Sequence, residues 1–250
     1  MAGFRACRAL GGRRAWRPAP RARVDEGWSG DNEPTAILAD APAVTMRRFT
    51  ASPSGPAMTL LILGLALFLG VHSVRIVAEG WRGRTLARVG EGPWKGGYSL
   101  LSLAGLALVV WGWGLARQQP VQLWVPPVWT RHLAGLLMLA AFILLVAAYV
   151  PRNAIRARLR HPMVLGVKTW ALAHLLANGS LAAVLLFGSF LLWAVLDFRA
   201  ARQRDRAVGA VPPLATSGAA TGLTVVVGAL AWGVFAFWGH AWLIGVRPFG

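Results

Sequence analysis

Imidazoles dominate the few side chains of this sequence that could do chemistry in an apolar setting: His72, His132, His161, His174 and His240, with Lys168 inside an apolar stretch of its own. Arg75 and Glu79 follow His72 at helical spacings; His161 stands directly before Pro162, and Lys168 and His174 come later in the same apolar stretch. An ionisable group inside a membrane span costs roughly 2.5 to 3.5 kcal/mol on insertion scales, so each one needs a reason. Imidazole is the common protein ligand of haem iron, and a helical bundle can hold a haem between histidines of facing helices. That reading pairs His72 with His161 or with His174. The plainer reading makes these histidines neutral, hydrogen-bonded packing residues at helix ends. His132 and His240 fall at the edges of apolar stretches and read as interfacial. Arg75 and Glu79, four apart, read as an ordinary intrahelical pair. Lys168 can snorkel to the headgroups, or pair with a haem propionate or an acid.

What is missing narrows the chemistry further. Cys7 is the only cysteine, which excludes intrachain disulfides, thiolate zinc sites and iron–sulfur clusters and leaves any metal chemistry to the histidines. The sequence holds no phosphate-binding loop, no HExxH and no Gly-x-Ser-x-Gly, so a soluble-type hydrolase or nucleotide enzyme is not expected.

The elements that must position these residues follow from composition. Of 250 residues, 56% are hydrophobic and 14% charged, more apolar surface than one water-soluble core can bury, so lipid is the expected solvent. The expected fold is all-α, a polytopic transmembrane helical bundle of about six helices. A span needs roughly 20 apolar residues at about 1.5 Å each. Six stretches approach that: Met58 to Val77, Tyr98 to Ala116, Leu133 to Val150, Pro162 to Ala177, Ser180 to Leu196 and Ala219 to Gly239. Between the fourth and fifth, Asn178-Gly179 reads as a tight turn, because one helix from Pro162 to Leu196 would be roughly 50 Å long.

The net charge of +17 gathers in arginine clusters between uncharged stretches, the pattern of cationic loops held on one side of a bilayer rather than of a nucleic-acid binder. The first, third and fifth connections carry Arg82 to Lys95, Arg152 to Arg160 and Arg199 to Arg206; the second and fourth are nearly free of cations. The expected setting is therefore a bacterial inner (cytoplasmic) membrane with the odd connections cytoplasmic and the N-terminus periplasmic. Residues 1–57, with nine arginines and five acids, read as a disordered extension or an over-extended gene start, with Met58 the initiator. Trp81, Trp94, Trp124, Trp129, Trp238 and Trp242 fall near span ends, where an amphipathic indole sits at headgroup depth. Glycines 64, 70, 105, 112 and 114 suit close helix packing in lipid.

The ordered residues resemble a known family. LGVHSVRI around His72, GPWKGGYSL from Gly92, LWVPPVWTRH ending at His132, AAYVPRN ending at Asn153, RHPMVLGVKTWALAHLLANG from Arg160 and HAWLIGVRPFG near the C-terminus are similar, in order and over Met58 to Gly250, to the NnrU proteins of bacteria. The resemblance implies an integral inner-membrane protein accessory to nitrite reduction and nitric oxide metabolism in denitrification, working beside nitrite or nitric oxide reductase components. The 15-cis-zeta-carotene isomerases share the domain, and their likeness implies haem b on two histidines that match His72 and His174, with His161 the other candidate. The isomerases have a cysteine where this chain has Ala171, so no thiol-based ligand switch carries over. The expected function is thus a haem b-binding accessory protein. The alternative is a haem-dependent membrane isomerase or oxidoreductase acting on a polyene such as zeta-carotene, and a small-molecule transporter is a third reading.

Overall fold

The computed structural model describes residues 55–209 and 215–249, so most of the expected extension 1–57 lies outside the described residues. The helices are α1 (Pro56–Val77), α2 (Glu79–Val89), α3 (Glu91–Ala116), α4 (Trp129–Tyr149), α5 (Ala154–Leu159), α6 (Pro162–Ala177), α7 (Leu181–Val208), α8 (Gly218–Val234) and α9 (His240–Ile244), with a π-helical turn, Phe235–Gly239, joining the last two. Five continuous helical stretches are long and apolar enough to cross a membrane: α1, α3, α4, α7 and the run from Gly218 to Ile244. The sixth expected span, α6, has 16 residues and rises about 24 Å, short of the roughly 30 Å hydrocarbon core. The chain is a multi-pass membrane protein.

Neighbouring helices run in the order α3, α1, α7, α6, α4, α8, so α7 joins the α1–α3 pair to the α6–α4–α8 group. Lipid supplies no hydrophobic drive between helices, so close backbone approach must do that work. It does so at the α1–α3 contact. A Cβ on Gly64 would lie 2.5 Å from the backbone nitrogen of Val109, one on Gly105 would lie 2.7 Å from that of Phe68, and one on Gly112 would meet the backbone of Leu61. Gly70 and Gly114, grouped with them on sequence, have nothing within 4 Å of a Cβ among the described residues. Met58, Leu61 and Leu65 of α1 bury against Val109 and Ala116 of α3 and against Ala182, Ala183, Leu186 and Phe187 of α7.

Two connections differ from the sequence expectation. The first cationic connection is not a loop: it forms α2, and α3 begins at Glu91 rather than Tyr98. The fifth continues α7 to Val208, giving a helix of 28 residues and about 42 Å. Hydropathy marks where lipid ends, not where helix ends, and Ala, Arg and Gln are good helix formers in water as well. The Asn-Gly break does occur between α6 and α7. Gly179 accepts from the backbone N–H groups of Leu123 and Trp124, and Leu181 donates to Val121, which stitches the turn to the α3–α4 connection. A Cβ on Gly179 would run into the carbonyl of Trp124.

Asn153, 1% exposed, governs the third connection. Its side-chain oxygen accepts from the backbone N–H of Arg156 at 2.7 Å and caps α5, while its amide donates to the carbonyls of Ala147 at 2.9 Å and Val150 at 2.6 Å at the end of α4. This residue of the AAYVPRN motif shapes the chain between two helices. Of the six tryptophans expected at headgroup depth, Trp81, Trp124, Trp129, Trp238 and Trp242 are exposed, whereas Trp94 is half-buried against Trp81.

Candidate functional site: an imidazole cavity with a cationic mouth

His72 lies in the last turns of α1. Its Nδ1 bonds the carbonyl of Phe68, one turn earlier, at 2.7 Å. A carbonyl only accepts, so Nδ1 carries the hydrogen and the neutral ring presents its lone pair at Nε2. His174 on α6 repeats the arrangement, with Nδ1 donating to the carbonyl of Trp170 at 2.9 Å. This is the outer hydrogen bond that fixes the tautomer of a metal-ligating histidine. His161 differs. It precedes Pro162, whose fixed φ suits a helix start, and its Nε2 is 3.1 Å from Oδ2 of Asp205 on α7, so that nitrogen is already engaged.

The three candidates are not brought together. His72 and His161 line one cavity of about 1060 Å³, bounded also by Phe68, Phe190, Trp193 and Tyr98. That volume sits at the top of the usual range for ligand sites, about 300 to 1,000 Å³. His174 is not on that wall. It stacks on Phe187, with ring centroids 4.6 Å apart, and a chain of rings separates it from His72. Phe68 stacks on His72 at 4.2 Å and lies 5.8 Å from Phe190, Phe190 lies 5.3 Å from Trp170, and Trp170 lies 5.3 Å from His174. On α7 the ring beside His72 is Trp193 and the ring beside His174 is Phe187, six residues apart and about 9 Å of helix rise.

One end of the cavity is strongly charged. Arg75, Arg82, Lys95, Arg160 and Arg204 line it together with Glu91, Asp197 and Asp205. Arg82 and Lys95 hydrogen-bond to Glu79 and Glu91 at 3.2 and 2.6 Å. Burial alone would raise the Asp205 carboxyl, but the hydrogen bond and charge of His161 and the guanidiniums of Arg160 and Arg202 outweigh it and hold it below the ordinary carboxylate range. This carboxylate stands beyond Leu196, on the arginine-rich extension of α7. Arg75 does face Glu79, at 3.7 Å, but across the α1–α2 junction rather than within one helix. Lys168 turns toward α7, 6.0 Å from the ring centre of Phe198, at the outer limit of a cation–π contact. His132 is exposed, and His240 donates from Nδ1 to the carbonyl of Val246 at 2.6 Å, so neither joins the cavity.

The NnrU family, described as NnrU protein, matches residues 60–248. The chain belongs to the NnrU family. No curated protein and no solved structure matches it.

For an NnrU protein the donor set decides which metal chemistry is available. Among the described residues no group of three or more His, Cys, Asp or Glu side chains could hold a bare metal ion. A haem needs only one or two imidazoles, because the porphyrin supplies four nitrogens. His72 fits that demand, with an Nε2 that has no partner among the described residues, on the wall of a roomy cavity. His174 fits in tautomer but reaches the same space only if the Phe190–Trp170 layer parts.

Sequence reasoning missed Trp193, Tyr98, Asp197 and Arg204 on this NnrU cavity. Trp193 stands three residues before the expected span end at Leu196, where a tryptophan reads as interfacial, so its type and position carried no signal of a cavity. Its indole N–H is shielded from solvent and has no hydrogen-bond partner among the described residues, a state that costs about 1 to 3 kcal/mol.

Proposed function

We propose that this NnrU-family protein binds haem b in the His72 cavity and acts as an accessory to nitrite or nitric oxide reduction in a bacterial inner membrane, with its arginine-rich end cytoplasmic. The observation that carries the reading is the His72 imidazole: Nδ1 tied to Phe68 and Nε2 left for iron, on the wall of a cavity large enough for a cofactor. His174, whose ring is prepared in the same way, is the second ligand once Phe190 and Trp170 make room, as the likeness to the haem-binding isomerases implies. His161 is not a ligand in this reading, because Asp205 holds its Nε2. The haem supplies one-electron or ligand-binding chemistry; the protein's residues orient the imidazole, exclude water from the apolar part of the cavity and offer cations at its mouth. The accessory role rests on family membership, and the orientation on the cationic connections.

The test is a chromosomal deletion in a denitrifying host, complemented with the wild type or with His72→Ala. Nitric oxide or nitrite reductase activity should fall in the deletion strain, return with the wild type and stay low with His72→Ala. Haem extracted from the purified protein should approach one per chain. Full reductase activity without the protein, or purified protein free of haem, contradicts the corresponding half of the proposal.

A further inference from the structure

We infer that the mouth of the His72 cavity is a seat for the two carboxylates of a tetrapyrrole, formed by the guanidiniums of Arg75 and Arg204. The inference rests on the haem reading above and extends it to residues that neither the family match nor the histidines point to.

One face of α7 runs along the cavity through Trp193, Asp197, Ala201 and Arg204, from the level of His72 to the charged end. Arg204 folds back toward α1, with Nη1 3.5 Å from the backbone carbonyl of Arg75, and both arginines line the cavity, Arg75 less than one helical turn beyond His72. A guanidinium at the edge of an apolar cavity is best matched by a carboxylate. The acids nearby serve poorly: Glu79 lies 3.7 Å from Arg75 and already hydrogen-bonds to Arg82, and Asp197 lies 4.0 Å from Arg204. Both distances exceed hydrogen-bond range. Arg75 makes no side-chain hydrogen bond among the described residues and Arg204 only a long one, to the Arg75 carbonyl, so each keeps N–H donors of its planar fork for one of two carboxylates. Behind them the wall turns apolar at Val71, Val74, Val164 and Val167 and carries the unpartnered indole of Trp193. A ligand matching this wall has a flat apolar body that reaches His72 and two acidic groups on one edge. A tetrapyrrole with two propionates has that chemistry. A single-tailed fatty acid or a phospholipid headgroup supplies an anion but no rigid body to reach the imidazole.

The probe is protoporphyrin IX, which has the carboxylates but no iron, titrated by fluorescence into the full chain in nanodiscs, beside its dimethyl ester. Each lost guanidinium–carboxylate pair is expected to weaken binding about tenfold. The free acid should bind the wild type at least tenfold more tightly than the ester; Arg75→Gln and Arg204→Gln should each lose that advantage in part and the double variant in full. Arg204→Lys, which keeps the charge without the fork, should fall between. Arg88→Gln, an exposed arginine outside the cavity, should bind like the wild type. Equal binding of acid and ester to the wild type, a comparison independent of any variant's folding, overturns the seat. So does displacement of the porphyrin by oleate or phosphatidylglycerol with the same arginine dependence, which reassigns the seat to lipid. A His72-dependent haem spectrum with arginine-insensitive porphyrin binding removes the seat and leaves the haem reading standing; arginine-dependent porphyrin binding without a haem spectrum does the reverse.

Discussion

The two halves of α1 meet their neighbours in opposite ways. From Met58 to Leu65 the helix is sunk into α3 and α7, with Gly64, Gly105 and Gly112 letting the backbones of α1 and α3 touch. From Phe68 to Arg75 it carries rings, an imidazole and a guanidinium, and the helices open into a cavity. Gly105 against Phe68 marks the change: the last glycine contact is with the backbone of the residue that carries the first aromatic ring. In lipid the distance between helices is set by side-chain size at the contact. One helix can therefore be a rigid support at one end and a ligand wall at the other.

The largest expected effect of breaking this contrast is at the close-packed end. Gly112→Leu forces four carbons into the backbone of Leu61 and should destabilise the protein by roughly 3 kcal/mol or more, since neither backbone can yield cheaply. Thermal unfolding in detergent would show it, and a wild-type midpoint would mean that the α1–α3 approach is looser than described. Asn153→Ala removes a helix cap and leaves the carbonyls of Ala147 and Val150 short of a donor; about 1 to 3 kcal/mol should be lost. At the open end Val164→Ala only widens an existing cavity and should cost less than about 1 kcal/mol. A loss there as large as that of Gly112→Leu would erase the distinction between the halves.

The smallest effect expected is a pH signature. Because the folded Asp205 carboxyl lies below its ordinary value, its stabilising contribution is complete above the unfolded pKa of about 3.9 and is lost as pH falls through the folded value. The Tm difference between the wild type and Asp205→Asn should shrink as pH falls below about pH 4. A difference that instead grows below that pH contradicts the direction of the shift.

The sequence revealed what depends on one helix at a time. The stretch Pro162 to Ala177 matches α6 at both ends, the Asn178-Gly179 break is present, and the common depth of His72 and His161, legible from residue rise alone, reappears as a shared cavity wall. What depends on two helices was hidden. That α7 lies between α1 and α6 follows from no periodicity, and it places Phe190 in the chain of rings between His174 and His72. The extension of α7 to Val208 was hidden for another reason: a charged helix in water leaves no mark on a hydropathy reading, so Arg204 and Asp205 were assigned to a loop instead of to the cavity.

The most direct test of the central claim is the reduced-minus-oxidised absorbance spectrum of the purified protein, recorded for the wild type, His72→Ala, His174→Ala and His161→Gln. The haem reading predicts a b-type spectrum in the wild type that is lost in His72→Ala, shifts to a high-spin form in His174→Ala and is unchanged in His161→Gln. A wild-type spectrum that persists in His72→Ala would contradict it.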